Sequence, residues 1–360
     1  MTQLALLPSP KIPTTPDRFG IAEWYGRSFV ELTPSERFDA ANFKPVRNTK
    51  LSKAERNRLD VLRTTPVASL SLKDKDRLAA LESKLAIELA NNKICPFKPT
   101  TSIPALCTKD GGVCSLRLYR RNEQGDVIPV TGDRGGIRAT CPHRFHEDTN
   151  VFQWISAELL GSSNPTLVSE VGFLSSTETT DSDEGEDVGR IDMVLIDKTK
   201  PPGHPLAWAA VEIQAVYFSG KEMPKDFRAI SDNICIDSGT GMIFPTEVRR
   251  PDYRSCGPKR LMPQLQIKVP TLRRWGKKMA VVIDRSFFGS LGRMTEASDL
   301  SNSDIVWFVV DFEFNSVTGR FKLVHAFTFP TTLEEAVKGL TGGEPVSLSM
   351  FEERMLAKSV

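Results

Sequence analysis

From residue 166 onward the apolar positions fall into short runs bounded by Pro, Gly or Asp. Thr166 to Phe173, Val188 to Asp197, Leu206 to Phe218, Lys278 to Asp284, Ile305 to Phe314 and Phe321 to Phe329 are β-rich in this way, the pattern of strands. Trp154 to Leu160, residues 221 to 236 and 258 to 277, and Phe351 to Ala357 read as helices, with a loop through Gly239, Gly241 and Pro245 between the middle two. Strands interleaved with helices predict an α/β fold on a mixed sheet. Upstream the pattern changes. Residues 1 to 18 are rich in Pro, Ser and Thr and predict a flexible arm. Phe19 to Leu32 carries Ile21, Trp24, Tyr25 and Phe29 at helix-like spacing. Residues 34 to 92 alternate charged and apolar positions, with capped helix starts at Ser52 and Ser71, the second helix running through Leu78, Leu81 and Leu85 to about Leu89,. This predicts a surface helical hairpin. Residues 95 to 141 read as loop-rich, and no internal repeat is present.

Composition narrows this picture only a little. The chain has 360 residues, 40% hydrophobic and 26% charged, enough for one large or two moderate domains with a real core. A net charge of +2 does not by itself mark a nucleic-acid binder. Its distribution says more, because Arg249 to Lys278 holds ten Lys or Arg and one acidic residue, Asp252. Arg249, Arg250, Arg254, Lys259 and Arg260, with Arg273, Arg274, Lys277 and Lys278, can grip phosphates or read guanine edges; solvated helix faces account for at least half of them. Glu178 to Asp187 is acidic at six of ten positions. Asp181, Asp183 and Asp187 match a calcium loop poorly, since no Gly stands at the sixth position, and a solvated connection between strands is the better reading. No run approaches the ~18 residues of a membrane helix, and the N-terminal Leu-Ala-Leu-Leu is too short for a signal sequence. The expected location is cytoplasmic, where six cysteines favour metal binding over disulfides.

Two of the predicted strands carry polar residues where a core strand should not. Asp192 lies inside the run Ile191 to Ile196, and Glu212 and Gln214 stand two apart in Ala210 to Val216, so they share one face while Ile213 points the other way. The gap from Asp192 to Glu212 allows a hairpin that brings the carboxylates together. This is the Asp…Glu-x-Lys pattern of many metal-dependent nucleases, with Gln214 in place of the lysine. Mg²⁺ takes one or two carboxylates, a carbonyl and several waters, which Asp192, Glu212 and the main chain of Ile213 can supply. Gln214 can orient a water but brings no positive charge. Glu170, on the preceding predicted strand, is a further candidate carboxylate. The same residues also fit an edge strand with one wet face.

Cys95, Cys107, Cys114 and Cys141 lie in the loop-rich segment, two of them followed by proline. Four thiolates there suit a tetrahedral structural site for iron or zinc, although the spacing also fits four separate buried thiols. His143 or His146 can replace one ligand. Cys235 and Cys256 lie apart and read as unliganded.

Taken in order, Ile21-Ala22-Glu23-Trp24-Tyr25-Gly26-Arg27, Cys95-Pro96-Phe97, Gly112-Val113-Cys114, Cys141-Pro142, Glu212-Ile213-Gln214 running on to Phe218-Ser219-Gly220, Gly257-Pro258, Trp307-Phe308-Val309 and Glu353-Arg354-Met355-Leu356 resemble the NotI family of restriction endonucleases along most of the chain. The resemblance implies a PD-(D/E)XK restriction-endonuclease-like core of mixed sheet with helices on both faces. It divides the chain into an arm (1–18), an N-terminal region (19–148) with a helical insertion (34–92) and a four-cysteine metal fold (95–141), and a catalytic domain (149–360). It implies catalytic roles for Asp192, Glu212 and Gln214, a weaker one for Glu170, Mg²⁺ at the active site, and iron or zinc on the four cysteines. The expected substrate is double-stranded DNA, cut at a GC-rich palindrome by a homodimer to leave 5′-phosphates, with a cognate methyltransferase sharing the target. The segment 34–92 and the basic stretch near Arg249 depart from the family pattern. A repair or DNA-processing nuclease of the same fold and a non-catalytic, metal-stabilised DNA-binding module are the alternatives.

Overall fold

The computed structural model describes residues 16–46, 49–98, 102–175, 187–199, 203–220, 223–233, 242–342 and 346–359. Most of the expected arm, most of the acidic stretch, Cys235, Gly239 and Gly241 lie outside them. The elements in chain order are β1 (Arg18–Trp24), β2 (Arg27–Ser28), α1 (Pro34–Asn42), α2 (Lys53–Thr64), α3 (Leu72–Ala90), β3 (Val113–Arg121), β4 (Val127–Pro129), β5 (Arg138–Ala139), α4 (Asn150–Leu160), β6 (Thr166–Ser175), β7 (Asp187–Asp197) and β8 (Ala207–Ile213). They continue through β9 (Phe218–Gly220), α5 (Pro224–Asp232), β10 (Arg249–Pro251), α6 (Tyr253–Cys256), α7 (Met262–Arg274), β11 (Met279–Asp284), α8 (Arg285–Phe288), β12 (Ile305–Asn315), β13 (Arg320–Thr331), α9 (Leu333–Thr341) and α10 (Leu348–Leu356).

The central sheet has the order β13-β12-β11-β8-β7-β6. β8, β11 and β12 run parallel, and the outer pairs are antiparallel, so the sheet is mixed. β11 shows why its sequence is apolar throughout. Met279, Val281 and Ile283 pack with α7 and α9 on one face, while Ala280 and Val282 pack with α4 on the other. A parallel strand covered on both sides has no polar face to alternate with. On α7, Leu261 (just before it), Leu265, Val269 and Leu272 form the buried stripe, at the spacing of one helix face. Within the described residues no helix is long and apolar enough to cross a membrane.

The N-terminal half differs from its expectation in two places. Phe19 to Trp24 is a strand, β1, paired antiparallel with β3, and residues 95 to 141 contribute β3, β4 and β5 to the same five-stranded sheet. β1 is buried at nearly every position, so it lacks a two-residue alternation, and its aromatic spacing imitates a helix. The partner strand lies some 90 residues on, beyond the reach of a local pattern. The helical hairpin of α2 and α3 forms as expected. Ser52 accepts from the Glu55 N–H at 3.2 Å while Glu55 accepts from the Ser52 N–H at 2.9 Å, a reciprocal cap. Its small core joins Leu59, Leu62, Leu81 and Leu85 with Ile103.

Hydrogen bonds around Ala139 help to seat the N-terminal sheet beside the central one. The Val216 N–H donates to Ala139 at 2.7 Å, and Ala139 donates to the buried Asp284 carboxylate at 3.1 Å. For this reason the strand expected to run from Leu206 to Phe218 leaves the central sheet after Ile213. It turns to bond β5 instead. α9, which sequence reading missed, is capped by Thr332 accepting from Glu335.

Candidate active site

β7 and β8 form the antiparallel hairpin that the spacing predicts. Met193 pairs with Val211, and the next step along the ladder sets Asp192 opposite Glu212. Val194 and Ala210, two residues from each, lie in the core facing α7, so the two carboxyl groups meet on α7's side. Their surroundings differ. Glu212 is buried, whereas the Asp192 side chain is 53% exposed at the rim, short of the burial its apolar neighbours predict.

Lys268 of α7 enters between them. Its Nζ donates to Glu212 Oε2 at 2.9 Å, to Asp192 Oδ2 at 3.3 Å and to Gln264 Oε1 at 2.6 Å. Burial pushes the Glu212 carboxyl up to about 7, with Lys268 opposing the rise and Asp192 adding to it,. The Gln214 amide is engaged with its own backbone, its Nε2 donating to the Ala215 carbonyl at 2.7 Å. Sequence reading missed both Lys268 and Gln264. The available signal was a lysine set in the Leu261, Leu265, Val269 and Leu272 stripe, four residues after a glutamine.

These groups open into a cleft of about 740 Å³ lined by Asp192, Glu212, Ile213, Gln214 and Gln264 on one side, with Pro142, His143 and His146 of the cysteine region beside them. Glu170 lines it too, with its side chain exposed and 3.9 Å from Arg190. Its φ is +56°, a strained conformation of the kind that gathers at functional sites. Of the basic candidates, Lys259 and Arg260 line the cleft, and Arg260 lies over the Tyr217 ring at 5.1 Å. Both sit on a π-helical turn, Gly257–Leu261, between α6 and α7, a feature common at functional sites. Arg250 and Arg254 are exposed. Arg249 is buried in an ion pair with Asp226, and Arg273 bridges Asp304 and Glu334, so both are engaged within the fold.

The four cysteines come together from two backbone links. An antiparallel bridge pairs Ile94 with Leu106 beside Cys95 and Cys107, and the Cys141 N–H donates to the Cys114 carbonyl at 3.2 Å. Cys95, Cys107 and Cys114 pack around Phe97. Burial pushes the thiols of Cys107, Cys114 and Cys141 up, and a neighbouring thiol adds to each. Gly112, at φ +68°, precedes Cys114 where an added Cβ would lie 2.2 Å from the Tyr25 ring, so only glycine lets the chain pass. Cys256 stands apart, its sulfur accepting the Tyr217 N–H at 3.0 Å.

Among the described residues no group of three or more His, Cys, Asp or Glu is arranged to hold a metal. The two carboxylates at the cleft fit a hard divalent cation by donor chemistry, since Mg²⁺ is satisfied by one or two carboxylates and water. The thiols fit iron or zinc by donor type, but stand as a cluster rather than a closed coordination sphere. A family model described as Restriction endonuclease NotI matches residues 79–323. That span takes in all four clustered cysteines, both carboxylates and Lys268. No curated protein matches the chain.

Proposed function

The chain belongs to the NotI family of restriction endonucleases, and from that premise we propose that it is a Mg²⁺-dependent type II enzyme cutting double-stranded DNA at a GC-rich palindrome. The observation that carries the chemistry is the pair Asp192 and Glu212 on adjacent antiparallel strands, sharing Lys268 in an open cleft. It supports a PD-(D/E)XK reading of residues 149–360, with 19–148 as an N-terminal region and 1–18 as an arm. Asp192, Glu212 and the Ile213 carbonyl are the proposed Mg²⁺ ligands. A bound Mg²⁺ lowers the pKa of a water and neutralises charge on the phosphate. Lys259 and Arg260 at the rim hold the DNA backbone, and Arg250 and Arg254 are further phosphate contacts. Gln214 can orient the attacking water only by releasing the Ala215 carbonyl, and Glu170 stands where it can help. A palindromic site suits a homodimer, one subunit for each strand, and a cognate methyltransferase would protect the same site in the cytoplasm.

Digestion of a fully sequenced phage DNA with Mg²⁺ and with EDTA tests this reading. Discrete Mg²⁺-dependent fragments with 5′-phosphate ends are expected. A smear would favour a repair or processing nuclease, and no cutting on DNAs of varied GC content a binding module. The same assay has a pH signature. A metal-binding carboxylate must be ionised, and Glu212 is pushed up to about 7. At limiting Mg²⁺ the rate should fall about tenfold per unit as pH drops below 7 and level off above it. A flat profile across that range would count against Glu212 as a ligand.

The cysteine cluster is the proposed site of a structural iron or zinc ion on Cys95, Cys107, Cys114 and Cys141. Elemental analysis of purified protein should find about one such ion per chain. Cys107→Ser should lower the melting temperature and the soluble yield, because structural thiolate sites contribute folding free energy. Metal-free protein with an unchanged melt would remove the site.

A further inference from the structure

The strand position that carries lysine in the Asp…Glu-x-Lys pattern holds Gln214, and its amide is bonded back to the Ala215 carbonyl at 2.7 Å. A cation nevertheless bonds both of the carboxylates that line the cleft. The Lys268 side chain is 7% exposed, sits on an otherwise apolar stripe of α7 and spans both carboxylates. An ammonium buried there without partners would be strongly destabilising, and a leucine would serve the packing of that stripe as well. What holds Lys268 is charge. Gln264, one turn earlier, accepts from the same Nζ at 2.6 Å and limits where the ammonium can swing.

We propose that Lys268 is a catalytic residue of the nuclease, supplying from helix α7 the positive charge that Gln214 cannot. The proposal rests on the endonuclease reading given above. Two carboxylates against one ammonium leave a net negative charge, so the pair can still take a divalent cation while Nζ turns towards the scissile phosphate. In the step itself the water oxygen forms the new bond to phosphorus and the bond from phosphorus to O3′ breaks. The proton of the water passes to solvent, and the leaving oxygen takes a proton from solvent. Lys268 stabilises the charge that grows on the phosphoryl oxygens. One helical run then provides the cations of the cleft in two tiers. Lys259 and Arg260 act at the rim, and Lys268 acts through the two carboxylates it bonds.

The test compares wild type, Lys268→Met, Lys268→Arg and the double variant Lys268→Met with Gln214→Lys, on a DNA that wild type cuts. Lys268→Met should cleave more slowly by about 100-fold or more, with DNA binding in Ca²⁺ within about threefold of wild type. Ca²⁺ titrated into the protein alone should bind Lys268→Met at least as tightly, because no ammonium competes for the carboxylates. Gln214→Lys should restore about tenfold of the lost rate, and Lys268→Arg should fall between. Rescue from the strand position is something a packing role cannot give. Lys268→Gln stands in if the Met variant melts in the cold. Wild-type cleavage by Lys268→Met, or a rate loss matched by an equal loss of Ca²⁺ binding, overturns the role and leaves the nuclease reading intact. A wild type that cuts no DNA overturns both.

Discussion

Glu212→Gln should abolish cleavage, lowering the single-turnover rate by about 1000-fold or more, while DNA binding measured in Ca²⁺ stays near wild type. The amide has the shape of the carboxyl and can still accept from Lys268, so the packing around the buried side chain survives. It lacks the full negative charge that a divalent cation requires, and losing one well-placed electrostatic group typically removes a factor of 10² to 10³. Loss of the metal adds to that. The matching Asp192→Asn change sits at an exposed rim, where water can substitute for one ligand, and should cost less. Glu212→Gln cutting at more than a tenth of the wild-type rate would refute the assignment of the site. A loss of cutting accompanied by unfolding would be resolved by the melt, since the two strands that carry the carboxylates also build the central sheet.

The second large effect is on stability, at a place no local pattern marks. Arg144 and Glu23 are fully buried. The Arg144 Nε lies 2.9 and 3.0 Å from the two Glu23 oxygens, its Nη2 donates to the Phe321 carbonyl at 2.8 Å, and Ser115 donates to Glu23 at 2.6 Å. Phe97 and Phe312 lie against the guanidinium at 4.4 and 5.1 Å. One side chain thereby joins β1, the cysteine region and β13. Arg144→Met should lower stability by about 3–5 kcal/mol, because it leaves the Glu23 carboxylate buried without its cation; Glu23→Gln should cost less, since Arg144 keeps Glu147 at 3.2 Å. The double change should cost less than the sum, as expected for contacting groups. Urea unfolding of the four proteins reads this directly. Single variants within 1 kcal/mol of wild type, by the same scale, would show the pair to be dispensable to the junction between the sheets.

The resemblance included Glu23 in the run Ile21 to Arg27, but nothing there named its partner, which lies 121 residues away. The carboxylates are the opposite case. Asp192 and Glu212 were legible because the hairpin joining their strands is local, and a two-residue period decides which side chains share a face. Lys268 was not legible. It belongs to a different element, brought over the hairpin only because the chain crosses from β8 through α7 to the parallel strand β11. Among the basic residues, sequence supplied the charge, and only packing separated Arg249, buried against Asp226, from Lys259 and Arg260 at the cleft.

By itself, then, the sequence determined what short-range physics can carry. It set the apolar runs of the central strands, the capped helices of the hairpin at Ser52 and Ser71, the carboxylate pair and the family. Tertiary structure decided the rest. It made β1 a strand through a distant partner, ended β8 at Ile213 through β5, gathered the four thiols, and set a lysine of α7 against both carboxylates. Each of these depends on contacts between residues far apart in the chain, whose free energy exists only once the intervening elements have packed.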